Sequence, residues 1–421
     1  MQINQEKLAR QLEVVEKWKA AHFKGTLCAV TGFGKSYVGI LIIQRMLKSN
    51  PASKTLVIVP TIQLKLQWEE LIAETKVSNV EVLVINTAVK GKKIVHLLIL
   101  DEIHRYASTV FQDIFTMVTY SGILGLTATM KRQDDKHYML EKEAPIIDQI
   151  DLKEALEKQY ISPFRIYNYG IDMGVEDKAR YDALHKNFIR FFKMFNFDFP
   201  SAMRALTDSS FRDTLAKQTG FKPNEIYIFA INFSKAMQNR KKFLYNIPSK
   251  LQIAKDLVMK YPVNTITFSE TIEFAEEITK IIGEDISFAF HSGLSAKKKK
   301  EMLIRYKDPN DPLRVINTAR SLDEGFDVKD IELAIICSGS STSRQYIQRI
   351  GRAVRYQEDK IATIINLYIK DSRDQNWLLK RGVMPNVYWI NDLDELQVFD
   401  SFLNKREDAI QQNLELLPLS D

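Results

Sequence analysis

Short apolar runs alternate with amphipathic stretches through the first 150 residues. This rhythm predicts strands at Thr26 to Val30, Thr55 to Val59, Val80 to Ile85, Ile94 to Leu100 and Gly122 to Leu126, with helices between them. It returns at Thr265 to Phe268, Ile286 to Phe290, Arg314 to Asn317, Leu333 to Cys337 and Ile361 to Ile369. Strand–helix alternation of this kind is the mark of a parallel sheet wound with helices. Two α/β domains in tandem follow, over residues 1–150 and 151–391. Within the second, from about residue 176 to 245, the text turns helical and aromatic. Tyr181, Leu184, Phe188, Phe191 and Phe195 recur three or four apart, with Lys186, Arg190 and Lys193 among them. The stretch reads as a helical insertion, with Gly220 ending one of its helices. Its aromatics either form the insertion's own core or stack on single-stranded bases, and the spacing favours the core.

A length of 421 residues suits two or three domains. The longest apolar runs are strand-sized, far below the roughly 18 residues a membrane span needs. With no export signal at the N-terminus, an intracellular, cytoplasmic protein without membrane partners is expected. Cys28 and Cys337 fall in expected strands and read as small core residues in a reducing compartment. The net charge is +6, but Asp392 to Asp421 carries eight acidic side chains against two basic ones. The body is therefore more basic than the total, which favours a polyanionic partner. The acidic C-terminal segment, 392–421, is either an ordinary surface helix or a tail that docks a protein partner. Lys297 to Lys300 cannot share one helix face, so a solvated helix is expected there.

Candidate chemistry begins at Ala29-Val30-Thr31-Gly32-Phe33-Gly34-Lys35-Ser36, between an expected strand and an expected helix. A bound triphosphate needs inward backbone N–H groups, a cation at its β/γ oxygens and a hydroxyl for magnesium. Thr31, Gly32 and Gly34 form the turn, Lys35 supplies the charge, and Ser36 the hydroxyl. The helix N-terminus adds partial positive charge. Further on, the apolar strand ending at Leu100 runs into Asp101-Glu102-Ile103-His104. Asp101 is placed to hold Mg2+ with Ser36, and Glu102 to orient or deprotonate the attacking water.

The order of motifs resembles the DExH helicases of superfamily 2, nearest their DNA-repair and phage branch-migration members, over about Gln11 to Ile369. Gly125-Leu126-Thr127-Ala128-Thr129 resembles the motif that couples hydrolysis to movement, so the likeness gives His104, Thr127 and Thr129 a coupling role. Val57 to Trp68, with Pro60 and Thr61, resembles the first nucleic-acid-contacting segment. Gln11 stands where relatives place an adenine-reading glutamine. Thr318 to Asp327 resembles the fifth motif, which implies that Thr318 meets the nucleic-acid backbone and that Gly325 and Asp327 approach ATP. Phe268-Ser269 resembles the fourth motif, with Ser269 at the nucleic acid. Gln348-Arg349-Ile350-Gly351-Arg352-Ala353-Val354-Arg355 matches the sixth motif: Arg352 and Arg355 share a helix face as arginine fingers, one turn after Gln348, which positions water. Val30 and Phe33 depart from the usual phosphate loop, and Gln348 departs from the DEAD-box histidine. The resemblance implies two RecA-like domains, ATP and Mg2+, and an ATPase that moves on nucleic acid, DNA rather than RNA. An RNA helicase shares every one of these residues. A motor subunit or nucleotide-dependent scaffold of a larger replication or restriction complex is the reading from another class.

Overall fold

The computed structural model describes residues 5–107, 113–130, 137–319, 331–338, 346, 349, 351, 361–380 and 385–396. Two parallel sheets organise them. The first contains β1 (Lys24–Ala29), β2 (Thr55–Val59), β3 (Val80–Val84), β4 (Lys93–Asp101), β5 (Val118–Thr127) and β6 (Ile146–Ile150), in the order β3-β2-β4-β5-β1-β6. The second contains β7 (Phe164–Ile171), β8 (Thr265–Ser269), β9 (Ser287–Phe290), β10 (Val315–Ala319), β11 (Leu333–Ile336), β12 (Ala362–Ile369) and β13 (Val387–Ile390), in the order β13-β7-β12-β11-β8-β10-β9. This is the tandem RecA-like α/β architecture expected from the sequence.

Central strands are buried along their length. All of β2 and the last five residues of β4 are inaccessible, which is why they read as unbroken Val, Ile and Leu. Apolar side chains on the two faces of the first sheet belong to separate clusters, one around Val57 and Ile99 and one around Leu56, Leu98 and Tyr106. The first of these clusters continues through Tyr160, Ile161 and Phe164 to Ile266, Phe268 and Ile364 of the second sheet. Buried packing thus runs from one lobe into the other.

Strands β6, β7 and β13 lie outside the ten expected ones. β6 is a five-residue edge strand carrying Asp148 and Gln149. β7 mixes apolar residues with Arg165 and Asn168, and Asn168 accepts a hydrogen bond from Asn366 on β12 at 2.7 Å. β13 exposes Tyr388 and Trp389. β6 and β7 lack the apolar run that marks a central strand, and β13 is a four-residue edge strand, Val387–Ile390.

The insertion lies between β7 and β8 as four helices, Val175–Lys193, Phe199–Thr207, Ser209–Thr219 and Pro223–Tyr245. Phe233 is fully buried, with the rings of Phe188, Phe192, Phe195 and Phe199 at 5.0 to 6.2 Å. Most of the aromatic stripe is therefore the insertion's own core. Gly220 ends its helix at φ 78°, a left-handed geometry glycine adopts without strain. Lys297, Lys298 and Lys300 are exposed, as a solvated helix requires. Residues 397–421, most of the acidic segment, lie outside the described residues. No described helix is long and apolar enough to cross a membrane.

After the insertion, the helix Pro248–Lys260 is fixed by a buried ion pair. The Lys250 ammonium donates to Asp374 Oδ2 at 2.5 Å and to the Leu244 carbonyl at 3.1 Å, and Asp374 also accepts from the Ile369 N–H. Removing one partner of such a pair strands a buried charge. Asp374→Ala is expected to destabilise the second lobe by about 3–5 kcal/mol, read as a shift of its urea unfolding midpoint. A shift under about 1 kcal/mol, the usual worth of an exposed pair, would mean that the ammonium finds water instead.

Candidate active site

Glycine makes the phosphate loop possible. Gly32 and Gly34 sit at φ 98° and 89°, where a side chain would strain the backbone, and the chain then enters the helix Lys35–Ser49. Lys35 donates to the Ala29 carbonyl at 3.0 Å. The unusual Phe33 is fully buried, its ring edge-on to Tyr160 at 5.6 Å. It anchors the loop to the segment that links the two sheets. From the other side the helix Gln5–Ala20 braces the loop. Gln11 Nε2 donates to the Phe33 carbonyl at 2.8 Å, and Lys7 donates to the Gly32 carbonyl at 2.6 Å and the Tyr160 carbonyl at 3.0 Å. Gln11 is thus buried against the loop backbone.

At the C-terminal end of β4, two sheet positions from β1, stand Asp101 and Glu102. Asp101 is buried; its Oδ2 accepts from the Trp68 indole N–H at 2.8 Å and its Oδ1 from the Glu102 N–H at 3.0 Å. Burial and the neighbouring Glu102 charge push its carboxyl up to about 6. Glu102 has the opposite fate. Burial opposes its ionisation, but the His104 hydrogen bond and the charges of Lys35, His104 and Arg105 outweigh it and hold the carboxyl low. Its backbone lies at φ 51°, a left-handed geometry that costs a non-glycine residue and recurs at functional sites. A short polar chain supports it: His104 Nδ1 lies 3.3 Å from Glu102 Oε2 and 2.9 Å from Thr127 Oγ1. The Thr127 hydroxyl donates to the Thr129 carbonyl at 2.9 Å. Strand β5, which carries Thr127, lies between β1 and β4. One edge of the sheet therefore gathers Lys35, Ser36, Asp101, Glu102, His104, Thr127 and Thr129.

The second lobe reaches this edge at Gly351. A methyl group on Gly351 would overlap the side chain of Thr31. Arg349, two residues earlier, fixes the approach. Its guanidinium is buried over the Phe268 ring, donates to the Ser338 carbonyl at 2.9 Å and pairs with Glu270 at 2.7 Å. Gln348, Arg352, Arg355, Gly325 and Asp327 lie outside the described residues.

The expected nucleic-acid contacts divide. Pro60 and Thr61 are half-buried at the end of β2, where the Thr61 hydroxyl caps the helix Ile62–Thr75 by accepting from the Leu64 N–H at 3.3 Å. Ser269 and Thr318 are each 1% exposed. Their hydroxyls donate inward, Ser269 to the Thr318 carbonyl at 2.8 Å and Thr318 to the Thr267 carbonyl at 2.9 Å. These two side chains are hydrogen-bonded to the backbone of the neighbouring strands at the sheet edge. Trp68, grouped with that first contact segment by resemblance, is also buried and serves Asp101. Sequence reasoning missed the Trp68–Asp101 and Arg349–Glu270 pairs. The only signal for either was a Trp or Arg set inside a motif.

Comparison with known proteins agrees with this geometry. Residues 249–357 match the family model "Helicase conserved C-terminal domain", and residues 2–96 match "Type III restriction enzyme, res subunit". Among curated proteins, a DNA 3'-5' translocase, XPB2, of Sulfurisphaera tokodaii is 27% identical over 86% of this chain and 82% of its own. The ATP-dependent RNA helicase mak5 of Schizosaccharomyces pombe is 29% identical over 26% of this chain and 17% of its own. Among solved structures, the Hef helicase domain of Pyrococcus furiosus superposes with a TM-score of 0.54 at 14% identity, over 88% of this chain and 98% of that one, and shares the fold. With the paired carboxylates and phosphate loop at one sheet edge and a second lobe laid against them, the chain is an ATP-hydrolysing enzyme similar to the superfamily 2 helicases and translocases.

Proposed function

We propose that the chain is a DNA translocase or helicase that hydrolyses ATP between its two lobes and converts closure of the cleft into movement along DNA. The observation that carries this reading is the contact of Gly351 with Thr31, because it brings the sixth motif onto the phosphate loop. Arg352 is the next residue in the chain, and in this reading its guanidinium answers the charge of a triphosphate held by the first lobe. The identity to XPB2 is 27% over most of both chains. The ATP-dependent RNA helicase ROK1 of Meyerozyma guilliermondii is 22% identical over 78% of this chain and 55% of its own, and mak5 matches a quarter of this one. The higher identity and fuller mutual coverage favour DNA over RNA.

In this reading Thr31, Gly32, Gly34 and Lys35 hold the triphosphate, with Gln11 bracing the loop on its adenine side. Asp101 and Ser36 suit Mg2+. No group of three or more His, Cys, Asp or Glu converges among the described residues, and magnesium needs only one or two carboxylates when phosphate and water complete its shell. When bound, the ion neutralises charge on the phosphate oxygens. Glu102 accepts the proton of the attacking water, and the phosphoryl group leaves ADP as phosphate. Gln348 aligns that water, while Arg352 and Arg355 stabilise the charge that develops. His104, Thr127 and Thr129 relay the state of Glu102 to the strand beside it. Gly325 and Asp327 approach the nucleotide from the second lobe. Pro60 and Thr61 border the DNA track in the first lobe, and Ser269 and Thr318 set the height of the second lobe's edge.

Glu102→Gln is expected to lower ATP turnover at least about 100-fold while a fluorescent ATP analogue still binds; Lys35→Ala should lose both. Normal hydrolysis by Glu102→Gln would remove that residue from the chemistry. Gly351→Ala should keep both lobes folded by circular dichroism yet lose most DNA-stimulated turnover, because the added methyl group holds the sixth motif off Thr31. Stimulation of ATPase by single-stranded DNA, duplex, fork, four-way junction and RNA tests the partner. DNA is expected to stimulate more than RNA, with binding that weakens as salt rises; stronger stimulation by RNA would reverse the assignment.

A further inference from the structure

Between the helical insertion and the segment Asp371–Leu379 lies a half-open cleft of about 1010 Å³. Neither the ATP site nor the motif set accounts for it. Its floor is Arg240, in the last turns of the helix Pro223–Tyr245. The side chain is only 6% exposed, and no carboxylate pairs with it among the described residues. The guanidinium lies over the Phe188 ring at 3.8 Å and donates through one terminal nitrogen to His185 Nδ1 at 2.7 Å, while its Nε–H has no acceptor. An acceptor Nδ1 requires that this imidazole nitrogen carry no proton. Burial and the adjacent guanidinium both lower the His185 pKa, which agrees. Buried arginine normally answers a carboxylate or a phosphate. Here the protein supplies a ring face, an imidazole and an unused donor.

The walls differ from the floor. Phe197 and Phe199, at the turn that follows the first insertion helix, are 52% and 48% exposed beside the cleft. Trp377 closes the opposite side, with Lys241 over its ring at 5.8 Å. Lys178, Lys241 and Arg373 also line the cleft, against Asp182 and Asp371, so with Arg240 four positive groups face two negative ones. An anion carrying a flat apolar body complements these walls.

We propose that this cleft binds single-stranded DNA, with a backbone phosphate on Arg240 and bases against Phe197 and Phe199. The inference rests on the DNA reading above and adds to it a second contact, on the insertion and remote from the ATP edge. A nucleotide answers both features at once, since its phosphate suits the open guanidinium donor and every base has a face for the rings. The space exceeds what one side chain needs. An acidic peptide ending in an aromatic residue has similar chemistry and is the competing occupant.

The test uses the full chain and a fluorescent oligodeoxythymidine, followed by anisotropy at fixed salt. Arg240→Met keeps the apolar stem against Phe188 and removes the charge; Phe199→Ala removes a half-exposed ring, with folding of both variants checked by circular dichroism. Each is expected to weaken binding by about 5-fold or more. Oligonucleotide carrying 5-iododeoxyuridine should photocrosslink to the tryptic peptide that holds Phe197 and Phe199. Wild-type affinity in both variants with no crosslink there overturns the cleft as a DNA site, and leaves the DNA reading standing if DNA still stimulates the ATPase. Crosslinks lost to an acidic, aromatic-ended peptide, with oligonucleotide affinity unchanged, overturn it in favour of a protein partner. Absence of any DNA stimulation in the wild type counts against the parent reading instead.

Discussion

Glycine at position 351 is where the two halves of this enzyme meet without a side chain between them. Thr31 fills the space a Cβ would need, so the second lobe at Gly351 lies directly against the loop that carries Thr31. Such a contact works only if both surfaces are rigid. On one side the loop is held by Phe33 in the core and by Lys7 and Gln11 from the first helix. On the other, Arg349 ties the incoming helix to Glu270 and Ser338 at the ends of β8 and β11. In the proposed reading the chemistry at Glu102 would depend on this fit, since catalysis is sensitive to displacements of about an ångström.

The active edge joins two kinds of electrostatics. Asp101, buried and beside another carboxylate, holds its proton to a higher pH than an ordinary carboxyl, while Glu102 is held anionic by His104 and the charges around it. Two carboxylates on adjacent residues are thus pushed apart in acidity by their surroundings. The left-handed backbone at Glu102 turns the second carboxylate away from the first and toward β5.

Much of this was legible in the sequence, and the reason is local. The phosphate loop and the Asp101-Glu102 pair are formed by chain neighbours at the end of an apolar strand, so order and spacing suffice to find them. The central strands declare themselves because burial on both faces forces an unbroken apolar run. What was hidden depends on distant partners. Trp68 reaches Asp101 across 33 positions and Arg349 reaches Glu270 across 79, and nothing in either neighbourhood says so. Resemblance assigned Ser269 and Thr318 to the nucleic acid, but their short side chains can turn toward either face of the edge, and here they turn inward. Strands β6, β7 and β13 escaped because an edge or a polar pair such as Asn168 and Asn366 breaks the apolar signal.

The chain leaves the second sheet after β7, builds four helices around Phe233, and returns before β8. Both roots of the insertion are therefore planted in the same sheet, and the buried Lys250–Asp374 pair holds the returning one. Were the second lobe to pivot on the first, the outlying helices would sweep through the same angle on a longer radius, as an oar blade travels farther than the hand that turns it.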